Sequence, residues 1–404
     1  QLVLLGLGSL IGSGWLFGAW EASSIAGPAA IISWIIGFIV IGTIAYNYIE
    51  IGTMFPQSGG MSNYAQYTHG SLLGFIAAWA NWVSLVTIIP IEAVSAVQYM
   101  SSWPWEWAKP MGALMKDGSI STIGLFAVYV IIAIFSLLNY WSVKLLTSFT
   151  SLISVFKLGV PLLTIIMLMI SGFDTNNYGH SASAFMPYGS APIFAATTTS
   201  GIIFSFNAFQ TIINMGSEIK NPEKNIARGI AISLTLSAIL YIVLQSTFIT
   251  SMPSSMIHEH GWNGINFNSP FADMAILLGI NWLAILLYVE AVVSPFGTGV
   301  SFVAVTGRVL RAMEKNGHIP KFLGKMNEQY NIPRVAIAFN AIISMIMVTL
   351  FRDWGTLAAV ISTATLVAYF TGPTTVISLR KMAPKMTRPF KANILKFMLS
   401  LIHI

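Results

Sequence analysis

The sequence predicts an all-α integral membrane protein whose first and sixth spans are broken inside the bilayer. Three observations carry this. Of 404 residues, 55% are hydrophobic and 8% charged, with a mean hydropathy of +0.74, whereas about a quarter of a soluble domain is charged. Apolar runs of about 20 residues recur along the whole length, a helical signal rather than the short alternating segments of a membrane barrel. Glycine and serine crowd two of these runs, Gly8 to Gly18 and Ser200 to Gln210. Unwound backbone at membrane depth leaves polar groups unpaired, so it survives only where it lines a cavity or a ligand.

The spans are expected at 3–25, 29–55, 71–101, 121–141, 145–172, 192–216, 228–252, 271–307, 334–351 and 355–379, with an incomplete eleventh at 394–404. Span one holds the first glycine-rich interruption. Spans two and three follow Gly27-Pro28 and Gly70, and span three closes on Trp103, Trp105 and Trp107, whose amphipathic indoles suit the headgroup region. Spans four and five flank Lys144. Span six holds the second interruption, Ser200-Gly201-Ile202-Ile203-Phe204-Ser205-Phe206-Asn207 onward, with polar residues where the midplane falls. Spans seven to ten are separated by the basic or proline-bearing segments around Pro253, Arg308 and Arg352. Gln1 lies almost in the first span and Ile404 inside an apolar run, so both ends are expected to be truncated.

With a cytoplasmic N-terminus, every lysine and arginine except Lys109, Lys116, Arg352 and the intramembrane Lys157 falls inside, which orients the chain by the positive-inside rule. The net charge of +6 therefore sits beside the membrane, where anionic lipid headgroups account for it better than nucleic acid. The chain has no cysteine, which excludes thiolate catalysis and Cys-based metal sites. No phosphate loop, nucleophile elbow or paired catalytic carboxylates appear at recognisable spacing. His258-Glu259-His260 offers only two histidines on an outer loop, so no metal is expected. Neither a catalytic constellation for an enzyme nor a polar-lined pore for a channel is visible. Breaks five spans apart are what a five-plus-five inverted repeat produces, with the substrate between them.

Gly12-Ser13-Gly14 resembles the Gly-Ser-Gly signature of the amino acid-polyamine-organocation (APC) superfamily. Pro56-Gln57-Ser58-Gly59-Gly60 is similar to its Pro-x-Ser-Gly-Gly, Glu218-Ile219-Lys220-Asn221-Pro222 to its Glu-x-Lys-Asn-Pro, and Gly317-His318-Ile319-Pro320 to its Asp-Gly-x-x-Pro region. In appearance the chain is most like the bacterial aspartate:proton symporter branch, where Trp103-Pro104-Trp105-Glu106-Trp107 and Asn139-Tyr140-Trp141 also look familiar. It departs from the pattern at Gln210, where many relatives carry glutamate, at Trp15, and at Asn316 in place of the usual acid. The resemblance implies a LeuT-like fold, with a first five-helix repeat at 1–172, a second at 192–379, and 394–404 as the start of the eleventh of twelve usual spans. It implies a bacterial cell-membrane permease, most simply a proton-coupled symporter of aspartate or glutamate, driven by the proton motive force without a cofactor. An amino acid exchanger or a permease for neutral amino acids is the alternative. No obligatory protein partner is implied.

An amino acid brings an ammonium and a carboxylate that must be desolvated together. Free N–H groups near Gly12, Ser13 and Gly14, at the positive end of the outer half-helix, can receive the carboxylate. Carbonyls near Leu10 and at Phe204, Ser205 and Asn207 can accept from the ammonium. Close helix packing is the bland alternative for these glycines. By the family register, Phe204 is a gating aromatic, Phe302 touches the substrate side chain, and Ser84, Leu85 and Ile89 line its pocket; a core role is the alternative for the aromatics. Asn207, Gln210 and Thr211 are candidates for holding an acidic side chain. Lys157 lies mid-span, where an ammonium is costly. By resemblance it is the proton-coupling residue, standing where a sodium ion sits in sodium-coupled relatives. Glu92 and Glu290 are intramembrane acids of open role. Glu50, nearer a span end, reads as interfacial, and Glu21 as a residue that reaches the outer vestibule.

Overall fold

The computed structural model describes residues 2–141, 143–207, 209–327 and 332–392. The incomplete span at 394–404 lies outside the described residues. The chain is helical almost throughout, with one two-stranded ribbon, Met115–Lys116 with Ser119–Ile120, in an outer loop. Membrane-length apolar helices cover spans two, three, four, seven, eight and ten, and Phe156–Gly172 and Arg334–Leu350 are shorter apolar helices.

Span one is two helices, Leu2–Leu10 and Gly14–Ala26. Between them the ladder stops: Ile11 N–H reaches the Leu7 carbonyl at 2.9 Å, but Gly12 N–H turns back to Leu10 at 3.1 Å. Span six is three pieces, Ala191–Thr199, Ile202–Phe206 and Phe209–Asn214. Its first break sits at Gly201, whose φ of 82° is left-handed. A Cβ there would lie 2.5 Å from the Trp354 ring. Gly201→Ala is therefore expected to cost about 1–3 kcal/mol in backbone strain alone. A lowered melting temperature, with Trp354 fluorescence shifted, is the outcome to look for in the purified protein.

The other spans are Ala30–Met54, Gln66–Met100, Thr122–Trp141, Val143–Gly172, Pro222–Ser251, Asn281–Lys315, Arg334–Leu350 and Trp354–Tyr369 continued by Thr371–Met382. Span eight differs from the expected 271–307. Pro270–Leu277 is a separate helix, ended by a turn in which Gly279 N–H returns to Ile276 (2.9 Å) and Ile280 N–H to Ala275 (2.8 Å). The apolar residues on both sides of Gly279 hide this turn from a hydropathy reading.

Spans three and eight run side by side, and span ten packs along span three. Glu50 is also not interfacial: it is 1% exposed and joins span two to span ten through Arg380. Trp107 is exposed at the outer face, whereas Trp105 packs edge-on against Tyr288 of span eight, centroids 6.2 Å apart.

Candidate functional site

The centre of the molecule is built on the break in span one. Ser13 caps the outer half-helix, and its N–H donates to both oxygens of Glu92, at 2.9 and 3.1 Å. Its hydroxyl donates to Glu92 Oε1 (3.1 Å) and accepts from the Trp354 indole N–H (3.0 Å). Spans one, three and ten thus meet at one serine. Placing a carboxylate at the first turn of a helix is favourable, because the N–H groups there lack intrahelical partners and the dipole end is positive. On the other side of the break, the Leu10 carbonyl accepts the Tyr241 hydroxyl at 2.6 Å. Ser13 and Glu92 are fully buried.

Lys157 is buried as well. Its ammonium donates to the Gly8 carbonyl (2.7 Å) and to the Thr298 hydroxyl (2.5 Å), tying span five to the inner half of span one and to span eight. Ser294, one turn before Thr298, donates to the Ile11 carbonyl at 3.3 Å. Glu92 and Glu290 are both near enough to Lys157 to act on its charge. Neither Glu290 oxygen is hydrogen-bonded among the described residues. Three ionisable groups from spans three, five and eight therefore share one apolar interior, where charged side chains are rare and costly.

The break in span six supplies the facing wall. Phe204 meets Trp354 edge-on at 6.0 Å, and Trp354 stacks on Phe17 at 5.0 Å, so the three rings join spans one, six and ten beside the break. Ser205 turns its hydroxyl to the Gly201 carbonyl (2.9 Å), and the Asn207 carbonyl accepts from Tyr369 (3.2 Å). Asn207 Oδ1, Gln210 Oε1 and Thr211 Oγ1 are buried without hydrogen-bond partners among the described residues. A buried polar atom left unpaired is costly, so these three atoms have hydrogen-bonding capacity that the described residues leave unused.

Of the residues singled out in the sequence, the structure brings Leu10, Gly12, Ser13, Gly14, Glu92, Phe204, Ser205 and Lys157 around the two breaks. Gly14 and Ser205 are in close approach. Ile89 and Leu85 are buried about one and two turns cytoplasmic of Glu92 on span three, and Ser84 gives its hydroxyl to its own helix at Asn81 (3.0 Å). Phe302 is buried one turn beyond Thr298. Sequence reasoning missed Trp354, Tyr241, Tyr369 and Thr298. A tryptophan at the start of span ten reads as an interfacial anchor, and only its long-range partner shows otherwise.

The remaining motifs gather at the cytoplasmic end. Gly59 N–H donates to the Asn214 carbonyl (2.8 Å), fastening the loop after span two to the end of span six. Glu218 pairs with Arg308 of span eight, Nε to Oε1 2.8 Å and Nη2 to Oε2 3.3 Å. Asn316, beside Gly317, donates to Asn63 Oδ1 at 2.7 Å. Asn139 donates to the Val300 carbonyl (2.9 Å), joining spans four and eight. A cavity of about 320 Å³ opens here, between Ser58, Asn139, Glu218, Arg308 and Pro333.

Comparison with known proteins gives the family. The amino acid permease family profile matches residues 1–404. The glutamate/serine transporter AimA of Bacillus subtilis (strain 168) is 51% identical over 391 residues, covering 97% of this chain and 72% of that protein. The aspartate-proton symporter of the same organism is 35% identical over 394 residues, 96% of this chain and 74% of that protein. Its methylthioribose transporter is 27% identical over 97% of this chain and 82% of that protein. The chain belongs to the amino acid permease family of the APC superfamily, as a multi-pass membrane transporter of LeuT-like fold and not an enzyme.

Proposed function

We propose that the protein moves an acidic amino acid, glutamate or aspartate, across the membrane together with a proton, with serine as a competing small substrate. The observation that carries the reading is the Lys157 ammonium, buried and held between the Gly8 carbonyl and the Thr298 hydroxyl. A cation that can lose its proton, placed where spans one, five and eight meet, links the protonation state to the position of the broken helix. The proton motive force is then the driving gradient. A bundle that contains the broken spans one and six rocks against a scaffold of the other spans around the site. The Thr211 hydroxyl can donate to a side-chain carboxylate or hydroxyl, and the Asn207 and Gln210 amide oxygens can accept from a hydroxyl or from the substrate's ammonium. Similarity to the glutamate/serine transporter and the aspartate-proton symporter supports this substrate class.

The test is uptake of labelled glutamate into proteoliposomes, with and without an inward proton gradient, challenged by unlabelled aspartate, serine and leucine. Accumulation that needs the gradient and is competed by aspartate and serine but not leucine is the expected result. Competition by leucine alone would overturn the substrate class, and gradient-independent exchange would make the protein an antiporter.

A further inference from the structure

We propose that the Glu92 side chain is a tethered competitor for the substrate's α-carboxylate: the amino acid binds at Ser13 by displacing it, and Glu92 takes up a proton as it leaves. The inference rests on the reading of the protein as an amino acid transporter. It begins from which donors the break in span one offers. Gly12 N–H is used locally by Leu10, and the Ser13 N–H and hydroxyl both go to Glu92. Because the Ser13 hydroxyl accepts from Trp354, its single proton is committed to the carboxylate. Glu92 comes from span three, 79 residues away in sequence. The approach is so close that a Cβ on Gly12 would stand 2.5 Å from Glu92 Oε1. A carboxylate is thus already seated on the Ser13 N–H and hydroxyl, donors an amino acid's carboxylate would use together with the first-turn N–H groups that follow at this helix end.

Two carboxylates cannot share one N–H and one hydroxyl. An entering amino acid keeps the charge at the helix end unchanged, one carboxylate for another. The displaced Glu92 meets Lys157, already held by Gly8 and Thr298, the second acid Glu290, and the Tyr241 hydroxyl, already bonded to Leu10. No further cation faces it among these groups. A carboxylate that has given up its Ser13 bonds and shares the single Lys157 cation with a second acid is costlier in an apolar interior than its neutral form. The balance is therefore substrate plus Glu92 carboxylate plus one proton giving bound substrate plus the Glu92 carboxylic acid. Release on the cytoplasmic side returns the proton as Glu92 reclaims Ser13. Ligands lacking a carboxylate, such as the corresponding amines, do not displace it.

The experiment uses the full-length purified protein and the amino acids of the transport panel. It measures binding from pH 5.5 to 8 and proton uptake on saturation in weakly buffered solution, for wild type, Glu92→Gln and Glu92→Asp. Removing the competitor should tighten binding about tenfold at the alkaline end, since affinity is no longer reduced by the fraction of sites Glu92 holds. Glu92→Gln should also flatten the pH dependence and lose the proton taken up by wild type. Glu92→Asp, its carboxylate drawn back one methylene, should bind more tightly too while keeping the proton. Weaker binding in both variants with unchanged proton uptake in Glu92→Gln would make Glu92 a fixed brace of the helix end and overturn the inference. Wild type that binds substrate without taking up a proton would overturn it while leaving transport standing. Wild type that binds nothing in the panel would overturn the transport reading and this inference with it.

Discussion

Lys157→Ala is expected to lower gradient-driven accumulation by about 5–150-fold, the ratio that 1–3 kcal/mol of coupling represents, while substrate counterflow persists. The reason is positional. The ammonium is the donor that joins the Gly8 carbonyl of the inner half-helix to Thr298 of span eight. Without it, the two sides of the break no longer feel a proton. The alanine also leaves the half-buried Gly8 carbonyl without this partner, which costs some stability. Stability and coupling must therefore be separated. Lys157→Arg does so, because a guanidinium keeps the charge but does not release its proton. That variant should bind substrate and fail to accumulate it under a gradient. Accumulation by Lys157→Arg at the wild-type level would remove Lys157 from the coupling role.

Arg380→Ala is expected to cost about 3–5 kcal/mol, the usual penalty for stripping one partner from a buried ion pair. Arg380 Nε donates to Glu50 Oε1 at 2.9 Å, and its Nη2 donates to the other carboxylate oxygen and to the Ala392 carbonyl. Ala392 N–H also donates to Glu50 Oε2, at 2.7 Å, and Arg388 Nε stands 3.4 Å from Oε1. One buried carboxylate therefore fastens span two, span ten and the segment after it. Arg388 compensates only in part, since its Nη2 is engaged by the Leu379 and Ala383 carbonyls. Thermal melts of detergent-purified protein read the loss. In a double-mutant cycle, Glu50→Gln with Arg380→Gln should cost less than the sum of the two single changes. Additive losses would mean the pair is not coupled.

What the sequence disclosed and what it hid divide along the range of the interactions. The break at Gly12-Ser13-Gly14 was legible because glycine density inside an apolar run is a local signal, and so was the break after Ser200. Lys157 stood out because a charge in the middle of a span has no cheap explanation. Glu50 was misread because its distance from the span end is local, while its partner Arg380 lies 330 residues away. Trp354 was missed for the same reason, its partner Ser13 being 341 residues off. The open role of Glu92 narrowed only once its oxygens were seen on Ser13. The turn at Gly279 was hidden because Leu278 and Ile280 keep the hydropathy continuous.

Span eight, Asn281–Lys315, is 35 residues long. At 1.5 Å per residue that is about 52 Å, well beyond a hydrocarbon core of about 30 Å. Its Pro295 lies next to Ser294 and Thr298, which hold span one and Lys157. One continuous helix therefore carries both the Thr298 contact to Lys157 and the Arg308 contact to Glu218. A tilt of about 5° at Pro295 carries Arg308, about 20 Å along the axis, through about 1.7 Å. That travel exceeds the tolerance of a hydrogen bond, so a small bend beside Lys157 would stretch the 2.8 Å contact of Arg308 with Glu218 about 20 Å away.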